Sequence, residues 1–246
     1  YGQATTLTAS LESLVRHAKA VRAATSNALV IGDMPYMSYH TTPQEAVHNA
    51  ARFIVEAGCH AVKLEGGAVR IPMIEALLHA EIPVMGHIGL TPQSVNALGG
   101  FKVQGRGKTE AQRVFDDARR LADAGVFALV LECVPRDLAA RITEAVPVPT
   151  IGIGAGAGCD GQILVLHDLI GLKVPGAKTP RFVRRYADVG AVIAAAAASY
   201  VRDVTSGDFP NAEESFSGPV SVAAEEPAPL SLYGGGTGTA RTRRRA

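Results

Sequence analysis

Cysteine is scarce in this sequence: Cys59, Cys133 and Cys159 are the only three among 246 residues, and no two form a CxxC pair. An odd, scattered set argues against a disulfide framework and points to a reduced, cytoplasmic setting. A surplus of one charge is missing too. The formal net charge is +1, so no overall field marks a nucleic-acid or acidic-surface partner. No apolar run is long enough to span a bilayer. The longest, Val189 to Val201, reads with its many alanines as a packed helix. No secretory signal is visible, and the chain opens on Tyr1 rather than Met. What remains is the make-up of a globular chain with an ample core, 47% apolar and 19% charged.

Short β-branched runs alternate with longer amphipathic segments. The pattern predicts strands at Ala28–Ile31, Ala61–Leu64, Pro83–Gly86, Phe127–Leu131, Thr150–Ile153 and Gln162–Leu166. Helices are predicted between them. Leu11–Ala23 gathers Leu11, Leu14, Val15 and Ala18 on one face, and Pro43–Ala57 has Thr42 as N-cap and Gly58 as a stop. Val69–His79, Glu110–Ala124 and Pro135–Ala145 follow the same rule. Nearly continuous apolar strands separated by helices imply a parallel sheet covered by helices, hence an α/β fold, either doubly wound or a TIM (β/α)8 barrel.

The strand ends favour the barrel. Asp33, Lys63, Glu65, His87, Glu132 and the Gly154-Ala155-Gly156 turn stand at or just after five different strands. A doubly wound sheet concentrates its chemistry at one switch point, whereas a barrel draws on the C-terminal ends of many strands. Six βα units are countable where eight are needed. The barrel is expected over residues 1–216, followed by a Pro-, Gly-, Ser- and Ala-rich flexible tail over 217–246 that ends in basic residues.

Lys63 and Glu65, two apart on a strand, point to one face, and Val62 and Leu64 to the other. If the apolar pair packs on helices, the charged pair faces the barrel axis. A plain ion pair is the competing reading; Asp33 at the same level favours a site for Mg²⁺ and an anionic oxygen substrate. Glu132 follows Val-Leu-Val-Leu, where burial raises a carboxyl pKa and suits it to proton abstraction. An ion-pair or helix-capping role fits Glu132 equally well. His87 reads more simply as a satisfied core histidine than as a polar liner. The Gly152–Gly156 segment lacks the third spaced Gly and the acidic residue of a dinucleotide fingerprint, so it is read as a loop needing close backbone approach, without NAD. The glycine-punctuated loop Gly99–Gly107 is either a lid or a simple connection.

Several stretches together resemble one family. They are Asp33-Met-Pro-Tyr36, Val62-Lys-Leu-Glu-Gly-Gly67, Gly86-His-Ile-Gly-Leu-Thr-Pro-Gln-Ser-Val-Asn96, Leu98-Gly-Gly-Phe-Lys-Val-Gln-Gly-Arg-Gly107, Leu131-Glu-Cys-Val-Pro135, Ile151-Gly-Ile-Gly-Ala-Gly156 and Cys159-Asp-Gly-Gln162. In this order they are similar to 3-methyl-2-oxobutanoate (ketopantoate) hydroxymethyltransferases, from about Tyr1 to Phe216. The resemblance implies a TIM barrel assembled as a decamer. It implies transfer of a hydroxymethyl group from 5,10-methylenetetrahydrofolate to 3-methyl-2-oxobutanoate, giving 2-dehydropantoate on the route to pantothenate and coenzyme A. Carried over by motif, Asp33 and Glu65 become Mg²⁺ ligands, Asp33 and Lys63 contact the oxo acid, and Glu132 is the proton acceptor.

The family's Val-Gly-Asp-Ser segment, which supplies a further metal ligand and a substrate-binding Ser, has no counterpart in this sequence. The resemblance places it before Tyr1, together with the first two strands of the barrel. Two other functions fit part of the pattern. One is an inactive remnant that cannot hold metal. The other is a Mg²⁺-dependent carbon–carbon lyase acting on other 2-oxo acids, against which the continuous Gly86–Gly107 match speaks.

Overall fold

The computed structural model describes residues 5–172, 176 and 178–219. Five of the expected helices form where their patterns place them. They are α1 (Leu11–Ala23), α2 (Pro43–Val55), α3 (Ile71–His79), a single turn α4 (Val95–Leu98), α5 (Lys108–Asp123) and α6 (Arg136–Ala145), the turn α4 being additional. The local reasons are the ones the sequence carries. Ser10 caps α1 by accepting a hydrogen bond from the Ser13 amide, and Thr42 caps α2 by accepting one from Glu45, with Pro43 opening the helix. Such a cap is worth about 1 kcal/mol, and proline at the first position loses no bond the helix needs.

The strands are β1 (Ile31–Asp33), β2 (Ala61–Glu65), β3 (Val84–Gly89), β4 (Ala128–Glu132), β5 (Thr150–Ile153) and β6 (Gly161–Gln162). All pair in parallel, and their order across the sheet is their order along the chain. A doubly wound sheet reverses that order at a switch point. This one never does. The sheet curls in one direction with its helices on the outside, which is the winding of a (β/α)8 barrel with six strands among the described residues. Val62, Leu64, Leu129 and Leu131 are fully buried in the apolar core they share with Phe53 of α2, Leu77 of α3, Leu121 of α5 and Ile142 of α6. The other face of the sheet turns its polar residues into a cavity.

Three expectations need correction. The first strand lies at Ile31–Asp33, later than Ala28–Ile31, because parallel pairing with β2 (Ile31 opposite Ala61, Asp33 opposite Lys63) carries the ladder through Gly32 and Asp33. The last covers only Gly161–Gln162; Leu166 instead begins a short helix, α7 (Leu166–Leu169), so its β-branched run was a misleading signal. The Ala-rich stretch does form a helix, α8 (Val189–Ser206), but none of its residues is buried. Alanine content reports helix propensity, whereas burial depends on a partner surface that propensity does not encode.

The chain divides into two compact units, 1–193 and 194–246. Everything from β1 to α7 belongs to the first. In the second, the remainder of α8 is followed by Phe209, whose ring meets Tyr200 edge-on at 5.4 Å. The tail expected over 217–246 lies, from 220 onward, outside the described residues. No helix among the described residues is long and apolar enough to cross a membrane.

Candidate active site

At the C-terminal ends of β1 to β5 a cavity of about 970 Å³ opens, lined among others by Asp33, Lys63, Glu65, His87 and Glu132. Parallel register brings these residues together. Asp33 stands opposite Lys63, Glu65 opposite His87, and Gly89 opposite Glu132. Residues on neighbouring strands at one level share a face, so side chains far apart in sequence meet at one mouth. Lys63 and Glu65 do share a face, as their spacing predicts, while Val62 and Leu64 point into the core.

The contacts form a chain. Lys63 Nζ lies 2.8 Å from Asp33 Oδ1 and 3.2 Å from His87 Nδ1. His87 Nε2 lies 3.2 Å from Glu132 Oε2, and its Nδ1 is 3.9 Å from Glu65 Oε1. Burial, reinforced by the Lys63 charge, pulls the His87 pKa down to about 3, so the ring is neutral. A neutral imidazole has one N–H. The Lys63 ammonium can only donate, so Nδ1 accepts from it and the proton sits on Nε2, facing Glu132. That N–H is close to the carboxylate but misaligned for a full hydrogen bond, and His87 Nε2 has no hydrogen-bond partner although it is buried. His87 is therefore not the satisfied core histidine that its sequence setting suggests. It is a neutral wedge between the ammonium and Glu132.

Two carboxyls here are held far from their ordinary range. Burial pushes both Glu65 and Glu132 up to about 7, with Lys63 partly offsetting the shift and Asp33 adding to it. Three carboxylates thus face a single ammonium in a half-desolvated pocket. Of the three carboxylates Asp33, at 55% side-chain exposure, is the outermost, and Glu65, at 6%, is the deepest.

Glu65 has a dedicated support that the sequence did not reveal. Its Oε2 accepts from the Gln93 amide at 2.9 Å, and the Gln93 side chain donates to the Met34 carbonyl and accepts from the Tyr39 hydroxyl at 2.7 Å. The Tyr39 oxygen in turn accepts from the Glu65 amide at 3.1 Å. Tyr39 stands in the loop after β1 and Gln93 in a 3-10 turn (Pro92–Ser94) after β3, 54 residues on, so no periodicity links them. The loop Gly99–Gly107 contributes Phe101, Lys102 and Val103 to the cavity wall and is pinned by a hydrogen bond from the Gln104 amide to the Cys133 carbonyl. The Gly152–Gly156 loop does need close approach: a Cβ on Gly156 would stand 2.5 Å from Cβ of Arg136.

Gly89 is the tightest of these points. Its φ is +89°, and a Cβ there would lie 2.3 Å from the Glu132 carbonyl oxygen and 2.6 Å from Val134. The Leu90 amide donates to that same oxygen at 2.8 Å. Gly89→Ala combines a backbone strain with a clash against main chain that no rotamer change relieves. The expected cost is roughly 2 kcal/mol or more, a drop in melting temperature of at least about 4 °C. Glu132 should be displaced with its backbone, so catalysis should fall even in the fraction that remains folded. An alanine variant with parental melting and turnover would show that this contact is not rigid.

Known proteins place the chain in a family. A family model described as ketopantoate hydroxymethyltransferase matches residues 1–212. A 3-methyl-2-oxobutanoate hydroxymethyltransferase of Syntrophomonas wolfei subsp. wolfei is 52% identical over 215 residues, covering 87% of this chain and 77% of that protein. One of the same description from Methylobacterium sp. strain 4-46 is 54% identical over 219 residues, covering 89% and 75%. Among solved structures, a putative lyase/mutase from Burkholderia cenocepacia J2315 aligns at a TM-score of 0.45 and 16% identity, over 82% of this chain and 69% of that one. With a match along nearly all of the sheet-forming unit and identities above half, the chain belongs to the ketopantoate hydroxymethyltransferase family and is a transferase of that kind.

Proposed function

We propose that this protein transfers a hydroxymethyl group from 5,10-methylenetetrahydrofolate to 3-methyl-2-oxobutanoate, yielding 2-dehydropantoate, with Glu132 as the base and Mg²⁺ as the metal. The observation that carries the reading is Glu132 itself: a carboxylate pushed to about 7, at the end of a buried strand, facing the cavity. A base poised near neutral pH is suited to taking a proton from the carbon next to a ketone.

The residues present fit a divalent cation. At the deep end of the pocket Asp33, Glu65 and Glu132 oppose only Lys63, so that end is short of positive charge, and the donors are hard oxygens of the kind Mg²⁺ prefers. Among the described residues no three His, Cys, Asp or Glu side chains converge on one point. Asp33 and Glu65 would hold the ion, leaving other positions to water and to the oxo acid. Bound Mg²⁺ supplies a Lewis acid for the keto and carboxylate oxygens of the substrate.

The remaining steps belong to the chain's own side chains. Lys63 Nζ, already paired with Asp33, offers an N–H to the oxo acid's anionic oxygens and steadies the negative charge that develops when the C3 proton leaves. Glu132 Oε takes that proton. His87, neutral and with its N–H toward Glu132, keeps the carboxylate apart from Lys63, so that the base is not tied up in an ion pair. Three unpaired thiols, Cys59, Cys133 and Cys159, suit a reducing compartment. The test is direct. Purified protein with Mg²⁺ and 3-methyl-2-oxobutanoate should exchange the C3 proton into D₂O without a folate, and should form 2-dehydropantoate when methylenetetrahydrofolate is added. Absence of both exchange and transfer would sink the reading.

A further inference from the structure

The wall of the cavity changes chemistry from its deep end outward. Toward solvent the wall carries aromatic rings: Phe101 at 69% exposure, Tyr36 at 39%, and Phe182, which packs against Gly154. Interleaved with them are three exposed cations, Lys102, Lys178 and Arg181. None of the three has an ion-pair partner among the described residues, and Asp168 is the acidic residue that shares their wall. Deep carboxylates and outer cations divide one cavity into a metal-and-oxo-acid end and an anion-seeking end.

Exposed aromatics beside unpaired cations match a ligand with a flat ring body and a negatively charged tail. We infer that Lys102, Lys178 and Arg181 form a subsite for the glutamyl carboxylates of the one-carbon donor, so that the protein prefers a polyglutamylated donor to the monoglutamate. This rests on the folate-dependent reading proposed above. The physical reason for the preference is additive charge. Each exposed cation contributes little alone, but several carboxylates on one flexible tail can engage all three at once. A monoglutamate tail brings two carboxylates and a triglutamate four.

The experiment compares methylenetetrahydropteroyl-monoglutamate with the triglutamate, on the full chain and on a Lys102→Ala, Lys178→Ala, Arg181→Ala triple variant. The parent is expected to show a KM about 10-fold lower for the triglutamate, and raising the salt to 0.5 M should shrink that ratio, because exposed pairs are screened. The triple variant should lose most of the ratio through a rise in the triglutamate KM, with the oxo-acid KM unmoved. Melting of the variant checks that it folds, and the charge reversal Arg181→Glu, tested separately, should shrink both the ratio and its salt dependence, since the subsite falls from three positive charges to a net one. A parent that does not distinguish the two donors, or a folded variant that keeps the parental ratio, overturns the subsite. A parent that neither exchanges the C3 proton nor transfers the one-carbon unit overturns the functional reading, and the subsite with it. Proton exchange without transfer from either donor removes the folate subsite and leaves the oxo-acid site standing.

Discussion

Glu132→Gln should slow exchange of the C3 proton of 3-methyl-2-oxobutanoate at least about 100-fold, the usual weight of a general base, while Mg²⁺ and oxo-acid binding persist. The same change should make the metal-free protein more stable at pH 8. In the folded chain burial holds the Glu132 pKa at about 7, against 4.5 for an unperturbed carboxyl. A folded-state pKa above the unfolded one means that the folded form binds more protons between the two values. The stabilising contribution is therefore fully present below 4.5 and lost as pH rises through about 7. At pH 8 the parent carries an ionised, half-desolvated carboxylate at a cost on the order of 2–3 kcal/mol, and glutamine carries none. The variant should melt higher at pH 8 by several degrees, and the gap should close as the pH falls toward 5. In the parent, exchange should rise as pH rises through about 7, because the base works only when ionised. A variant that exchanges at the parental rate removes Glu132 from the role. One that melts lower at pH 8 means the carboxylate is compensated by a partner other than Lys63.

Lys63→Met and Glu65→Gln should separate the two ligands of the deep end. The Lys63 side chain is long, mostly buried and aimed at Asp33 and His87, and methionine keeps the stem while removing the charge. An ammonium can bind only the anion. Oxo-acid affinity should fall about 10- to 100-fold, the weight of a hydrogen bond to a charged group, while Mg²⁺ binding should hold or tighten as positive charge leaves the pocket. Glu65→Gln does the reverse. Glutamine retains an oxygen that accepts from the Gln93 amide, so the buttress through Gln93 and Tyr39 stays intact, but the charge on the ion is gone. Mg²⁺ affinity should drop by a similar factor, and Asp33→Ala should act in the same direction. Calorimetric titration of Mg²⁺ and of oxo acid into each variant reads both numbers. If Lys63→Met lost the metal and kept the oxo acid, the two roles would have to be exchanged.

Much of the architecture was readable one segment at a time, because it rests on local rules. Helices α1, α2, α3, α5 and α6 follow from 3.6-residue spacing and from signals such as the Thr42 cap, and the opposite faces of Val62/Leu64 and Lys63/Glu65 follow from the two-residue repeat of a strand. Strand limits were less readable. Asp33, His87 and Glu132 fall just past the strands that the pattern predicts, yet pairing with neighbouring strands holds them inside β1, β3 and β4. The apolar stretch of α8 announced a helix and was silent about the exposure of that helix.

The site divides along the same line. Residue type and spacing favour Asp33, Lys63 and Glu65 as one site, while the role of Glu132 stays open on its residue setting alone and comes from the family resemblance. Their arrangement depends on long-range contacts. Lys63 meets His87 24 positions on, and Tyr39 reaches Gln93 across 54. Only such contacts set the His87 tautomer, the support beneath Glu65 and the burial that lifts Glu132 to about 7. A pKa is a property of the surroundings, and those surroundings exist only once the sheet has curled and brought five strand ends to one mouth.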